Sequence, residues 1–280
     1  MKIPKYWARG TYNTQDRNGQ PAAFSCWHWS DHSLADAQGK AVQRAQRMAT
    51  SFLAGQRPNR YAYGVNPLRE EVVGVVSSGT REVGLLTRNR YGAVVLNAAQ
   101  AMFIDIDFEG QPKSSSLLGS LFGVKAGAPE SALLPSIEQW TRRFSGLGVR
   151  VYRTAAGLRC LVTSDTFDPT QPGTLDMMRS LNSDPLYVTL CRQQESFRAR
   201  LTPKPWRCAA PQPPSQFPFE TPSAEARYRQ WEREYQSATS NFAVCRLIAS
   251  YGSERVHPDI TPILNLHDQY CRVQNSLELA

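Results

Sequence analysis

The sequence predicts an α+β fold, with a β-α-β-β-α-β core, an N-terminal α/β extension and a helical C-terminal tail. Three observations predict it. Short runs of β-branched and aromatic residues, which suit a pleated half-buried surface, alternate with stretches of helical periodicity. Clusters of Gly, Asn, Asp and Ser punctuate them. A proline-rich stretch at 203–222, too aperiodic for a helix or a central strand, separates the core from the last helical segments. The expected divisions are 1–97 for the extension, 98–207 for the core and 208–280 for the connection and tail.

Residues 5–12 and 22–29 read as two strands around the turn signal Asp16-Arg17-Asn18-Gly19. Ser33 reads as the N-cap of a helix over 34–53, with Asp36 in the first turn, where the helix dipole favours an acid. Strands are expected at 72–76, 82–88 and 91–97, the first two joined through Ser77-Ser78-Gly79-Thr80. The apolar run 101–108, interrupted only by two aspartates, predicts a buried strand, followed by a Gly/Ser-rich loop at 110–119 and a short helical turn. Leu134, Ile137, Trp140 and Phe144 predict a helix over 134–144. Strands at 149–153 and 158–163 flank the turn Thr154-Ala155-Ala156-Gly157, and helices at 175–181 and 186–193 lead to a strand at 197–201. From 101 onward the order is the split βαβ arrangement of ferredoxin-like and RRM-like folds. A helix at 224–237, an apolar piece at 242–249 and a helix from 261 to near 276 follow.

The chain of 280 residues is 41% hydrophobic and 20% charged, which is ordinary for a protein with a sizeable core. No run approaches the ~18–20 apolar residues of a membrane-spanning helix. The N-terminus, Met1-Lys2-Ile3-Pro4-Lys5-Tyr6-Trp7, has no apolar h-region, so a cytoplasmic protein is expected. Six cysteines (26, 160, 191, 208, 245 and 271) are spread without a CxxC pair, which predicts buried thiols rather than disulfides or a structural zinc site. The 32 basic and 24 acidic side chains leave a net charge of +8 and favour an anionic partner. No P-loop, GxGxxG, GxSxG or HExxH occurs.

Chemistry concentrates in the core. Asp105 and Asp107 are two apart on a strand and share a face. Two carboxylates at a buried strand end repel and lose hydration unless a cation or several donors serve them. Mg²⁺ or Mn²⁺ suits such a pair, with water and substrate phosphates completing the octahedron. The plainer account makes one aspartate a turn cap and the other the partner of an arginine. Arg153 and Arg159 flank the turn at 154–157, placed either to meet a metal-held anion or to neutralise the aspartates. The densest basic stretch is 191–207, where Arg198 and Arg200 share a strand face and Lys204 and Trp206 follow between prolines. Cations interleaved with an aromatic hold phosphates and stack a base, whereas a solvated charge run with Trp206 over the core is the plainer account. Asp165 and Asp184 are candidate third carboxylates. His28 and His32 suit core or cap roles. His267 and Asp268 are adjacent on a helix and do not share a face, and an HD-type metal site needs more histidines than the four present.

On these residues the chain resembles the archaeo-eukaryotic primase (prim-pol) superfamily over 101–207. Met102-Phe103-Ile104-Asp105-Ile106-Asp107 is similar to the family's first motif, an apolar strand ending in two acids. Thr154-Ala155-Ala156-Gly157-Leu158-Arg159 lies where the second is found, with Arg159 in place of a histidine that binds the incoming nucleotide's phosphates. Asp184 or Asp165 stands for the third motif's acid, and the basic stretch after Phe197 matches one that often follows in the family. The whole chain also resembles a widespread bacterial family, a likeness that implies no activity. The primase likeness implies an RRM-like catalytic sheet and a metal-dependent nucleotidyl or phosphoryl transfer. In that reading Asp105 and Asp107 bind Mg²⁺ or Mn²⁺, Arg159 serves the reaction, and Arg153, Arg198, Arg200, Lys204 and Trp206 hold a nucleotide or nucleic acid. The alternative is a non-catalytic RRM-like module that binds RNA or single-stranded DNA through the same cations.

Overall fold

A computed structural model describes residues 1–56, 67–108 and 130–280, with side chains described from residue 133 in the last of these. The loop expected at 110–119 and the helical turn after it lie outside the described residues. In chain order the elements are β1 (Tyr6–Gln15), β2 (Pro21–Ser30), α1 (Leu34–Leu53), β3 (Glu71–Ser78), β4 (Arg81–Arg88), β5 (Val94–Ala98), β6 (Phe103–Asp107) and α2 (Glu130–Arg142). Then come β7 (Gly148–Thr154), β8 (Gly157–Val162), α3 (Pro172–Ser180), α4 (Pro185–Gln194) and β9 (Phe197–Arg200). The C-terminal part holds a short 3-10 helix (Pro205–Arg207), α5 (Pro222–Thr239), β10 (Phe242–Ala243), β11 (Cys245–Gly252), α6 (Thr261–Cys271) and β12 (Glu278–Leu279).

Local chemistry explains the N-terminal unit. The Asp16 carboxylate accepts from the Asn18 and Gln20 N–H groups, both at 2.8 Å, and closes the β1–β2 hairpin. Ser33 Oγ accepts from the Asp36 N–H at 3.1 Å and starts α1. Helix α1 buries Ala37, Ala41, Ala45 and Ala49, a stripe of small residues on one face. Such a stripe lets the hairpin lie very close to the helix. At Gly10 in β1 a Cβ would sit 2.2 Å from the Val42 nitrogen, so the contact needs a residue without a side chain.

The rest is built on two four-stranded sheets, ordered β3-β4-β5-β9 and β11-β7-β8-β6, in which every pairing is antiparallel. The α+β class and nearly all the expected elements are present. The stretch β6, α2, β7, β8, α3, α4 and β9 follows in chain order. Its pairing differs from a single RRM-like sheet, because β9 is hydrogen-bonded to β5 and not to β6. Side chains fill that gap. Tyr187 Oη on α4 lies 3.2 Å from the Phe103 carbonyl and 3.0 Å from the Arg198 carbonyl, and accepts from the Arg198 N–H at 3.3 Å. The boundary placed at 97/98 falls inside β5, so the N-terminal portion shares a sheet with the core.

The tail is less helical than expected. The apolar piece at 242–249 becomes β10 and most of β11, and β11 pairs with β7 as the outer strand of its sheet. The physical cause is the outer edge of β7, whose backbone donors and acceptors need partners. Helix α6 ends at Cys271, short of 276, where Arg272 turns left-handed at φ 55°. Phe103, Ile104, Leu158, Leu161, Phe197 and Leu201 are buried in the core. The Trp140 indole N–H donates to Ser180 Oγ at 2.8 Å and ties α2 to the end of α3. Among the described residues no helix is long and apolar enough to cross a membrane.

Two glycines test the α1 contact. Gly10→Ala is expected to lower stability by ~1–3 kcal/mol through overpacking. Gly39→Ala, on the exposed face of α1 with nothing within 4 Å, is expected to raise it by ~0.5–1 kcal/mol. Denaturant unfolding of both variants checks the pair.

Candidate functional site

The interrupted pairing between β6 and β9 opens a cleft of about 330 Å³. Asp105 and Asp107 enter it from β6, Arg159 from β8, Arg198 and Arg200 from β9, and Lys204 and Arg207 from the segment after β9. Tyr187 and Leu190 of α4 close one wall. Six of the eight residues expected at the site therefore come together, and Arg207, which lies in the same basic stretch, joins them.

Strand register explains the centre. Antiparallel pairing sets Asp105 opposite Arg159 and Asp107 opposite Gly157. At Gly157 a Cβ would lie 2.0 Å from the Ile106 carbonyl, so glycine is what permits β6 and β8 to come together at the acidic strand end. Arg159 Nε donates to Asp105 Oδ1 at 2.9 Å, with Nη2 at 3.5 Å from Oδ2. Its Nη1 donates to the Arg200 carbonyl at 3.0 Å. Arg159 is only 4% exposed, whereas the Asp105 side chain is 35% exposed. Burial opposes the charge on Arg159, but Asp105 and then Cys245 outweigh it and hold the guanidinium protonated. Of the two roles open to Arg159, the counter-ion to Asp105 is the one realised in this geometry.

The remaining cations differ in how far they are committed. Arg198 Nη2 bonds both Glu70 carboxylate oxygens, at 2.8 and 2.9 Å, and its Nη1 donates to Asn97 Oδ1 at 2.5 Å. Thr87 Oγ1 donates to Glu70 at 2.6 Å and accepts from Asn97 Nδ2 at 2.9 Å, which completes a buried network. Arg198 is thereby a structural cation that joins β9 to β5 and to the residue before β3. Arg200 Nη1 donates to the Thr202 carbonyl at 3.0 Å. Burial, then Arg159 and Arg207, push its pKa down to about 10. Lys204 is pushed down to about 8 by burial, then by Arg200 and Arg207, against an opposing pull from Asp107. Burial also lowers Arg207. With Arg198 neutralised by Glu70, four cations face two carboxylates across the cleft among the described residues.

Arg153 and Trp206 stand apart from the cleft lining. The Arg153 guanidinium lies over the Phe108 ring at 4.0 Å. Trp206 is 46% exposed, packs edge-on against Tyr91 at 5.0 Å, and has Lys204 Nζ 5.4 Å from its ring centroid. Neither candidate third carboxylate lines the cleft. Asp184 caps α4 by accepting from the Leu186 N–H at 3.1 Å, and Asp165 accepts from the Thr166 N–H at 2.8 Å.

The cysteines are buried thiols as expected, apart from the half-buried Cys26. Three side chains nevertheless gather in a way that sequence spacing did not show. Among the described residues Cys245, His267 and Cys271 form a buried group whose ligand atoms all lie within 4.8 Å of one another. The one local signal was the four-residue spacing of His267 and Cys271, which places both on one helix face.

No family model, curated protein or solved structure matches the chain.

Removing Arg159 leaves the Asp105 carboxylate without its counter-ion. Arg159→Met is expected to cost ~2–3 kcal/mol, below the ~3–5 kcal/mol of a fully buried pair because water reaches Asp105. Asp105→Asn in the same chain is expected to restore part of that loss. Urea unfolding of the two single variants and the double variant measures the coupling.

Proposed function

We propose that the cleft binds a phosphate-bearing ligand, a nucleotide or a single-stranded nucleic acid. The observation that carries this reading is the excess, among the described residues, of Arg159, Arg200, Lys204 and Arg207 over Asp105 and Asp107. Arg200 and Lys204 are crowded by like charge and burial. An anion in the cleft relieves both penalties. Phosphate oxygens suit guanidinium donors, which grip them bidentately. Trp206 beside Lys204 offers a partly exposed aromatic face just outside the lining, suited to stacking a base.

A second reading, metal-dependent nucleotidyl or phosphoryl transfer, is favoured by the carboxylates themselves. Asp105 and Asp107 border the same cleft as the cations, as a metal bridging carboxylate and phosphate requires. This is also what the resemblance to the archaeo-eukaryotic primases implies, with Arg159 at the place of the family's histidine. The salt bridge to Arg159 already engages Asp105, so Mg²⁺ or Mn²⁺ must compete with a guanidinium for that carboxylate. Binding by cations alone is therefore the leading reading.

Fluorescence anisotropy with a labelled single-stranded oligonucleotide at low salt separates the two. Cation-driven binding persists in EDTA and weakens as salt rises, because counterions are released. Absence of binding to nucleotide and oligonucleotide at low salt would end the phosphate reading. Under the metal reading, calorimetry with Mn²⁺ shows binding that Asp105→Asn and Asp107→Asn each abolish. Unchanged affinity in both variants rejects it.

Lys204 supplies a pH signature. A bound phosphate favours its charged form, and in the free protein the ammonium is half lost near pH 8, with Arg200, Arg207 and Asp107 as the neighbouring charges. Affinity is thus complete below that pH and falls as pH rises through it. Lys204→Arg is expected to hold affinity flat between pH 7 and 9. Lys204→Ala is expected to weaken binding about 10-fold at pH 7, the worth of one charge-assisted contact of ~1.5 kcal/mol.

A further inference from the structure

Cys245 opens β11, and His267 and Cys271 lie one helical turn apart on α6, all three fully buried. The Val244 N–H donates to the Cys271 carbonyl at 3.1 Å, so the strand entry and the helix end are fastened together next to the cluster. Cys245 Sγ and His267 Nε2 are 3.9 Å apart, and every pair of donor atoms is within 4.8 Å. Tetrahedral zinc, with Zn–S near ~2.3 Å and Zn–N near ~2.0–2.1 Å, needs donors about 3.5–3.8 Å apart. Small side-chain rotations close that difference.

The imidazole is already oriented as a ligand. His267 Nδ1 lies 3.0 Å from Asp268 Oδ1, which makes Nδ1 the protonated nitrogen and leaves the Nε2 lone pair facing Cys245. Asp268 is itself held, by the Tyr152 hydroxyl at 2.8 Å and by Arg150 Nη1 at 2.9 Å. A histidine whose second nitrogen is fixed by a carboxylate that is fixed in turn is the outer shell of a metal site. Among the described residues the other buried thiols belong to no such group. Cys208, for example, donates to the Pro205 carbonyl at 3.4 Å.

We infer that Cys245, His267 and Cys271 form a zinc-binding centre that joins β11 to α6. Two thiolates and an imidazole are soft and borderline donors, the set that selects zinc over Mg²⁺ or Mn²⁺. Two thiolates also neutralise a divalent cation, so the occupied centre carries no net charge into a dry interior. Three side-chain ligands leave zinc's fourth position to water or a main-chain carbonyl. The centre lies beside the cleft, with Cys271 Sγ 3.8 Å from the Arg200 carbonyl that Arg159 also contacts. It stands independently of what the cleft binds.

The test uses the whole chain, purified under reducing conditions and titrated with Zn²⁺ and, separately, Co²⁺. One zinc per chain is expected by elemental analysis, with a raised melting temperature in the zinc-loaded form and a lower one after chelation. Co²⁺ is expected to give a thiolate-to-metal charge-transfer band and the strong visible absorption of tetrahedral cobalt. Cys245→Ser and Cys271→Ser are expected to remove the band, whereas Cys208→Ser keeps it. Asp268→Asn, which keeps all three ligands, is expected to weaken zinc affinity ~10- to 100-fold. A folded, reduced wild-type chain that takes up neither metal overturns the inference, whatever the variants do. So does cobalt bound without a thiolate band, or a Cys245–Cys271 disulfide in the freshly purified protein.

Discussion

Arg159 is the joint on which the centre of the molecule depends. Its side chain leaves β8, pairs with Asp105 on β6 and donates to the Arg200 carbonyl on β9, so one buried guanidinium holds three strands. Those strands belong to two different sheets. Between β6 and β9 no ladder forms, and Arg159 with Tyr187 supplies the hydrogen bonds that a ladder would have made. A buried charge is tolerable only with a partner and satisfied donors, and Asp105 with the Arg200 carbonyl provides both.

The same interruption creates the cleft. Had β9 paired with β6 along its length, Asp105 and Arg200 would flank a continuous sheet with no space between them. Side-chain bridging holds the two edges apart, and the cations of β9 and of the segment after it fall into the opening. One of these cations, Arg198, is spent on Glu70 and Asn97 to secure β9 against β5. The others are left crowded, which lowers the pKa of Arg200, Lys204 and Arg207. A neutralised arginine and three crowded cations thus follow one another along one short stretch, and only their partners tell them apart.

The C-terminal residues complete this centre. Strand β11 covers the outer edge of β7, and α6 brings His267, Asp268 and Cys271 against the same core. Tyr152 and Arg150 of β7 anchor Asp268, while Cys271 approaches Arg200. The cleft and the cysteine–histidine group are therefore neighbours that share a frame.

Much of the secondary structure was legible in the residues alone, because it rests on short-range physics. Ser33 and the alanine stripe define α1, Asp16 and Gly19 close the first hairpin, and β-branched runs mark β3 to β5. The two-residue spacing of Asp105 and Asp107 and the density of cations in 191–207 located the candidate site to within a few side chains. What stayed hidden depends on partners far apart in sequence. Nothing in the stretch around Arg198 foretells Glu70, and nothing near Cys245 foretells His267. The pairing of β9 with β5, and of β11 with β7, likewise depends on which edge is open once the chain has closed. The residues by themselves determined where helices, turns and strands begin and which side chains are candidates for a site. Tertiary structure alone decided which charges meet, because an ion pair or a ligand set is a distance, and distance across a fold is not written in local sequence.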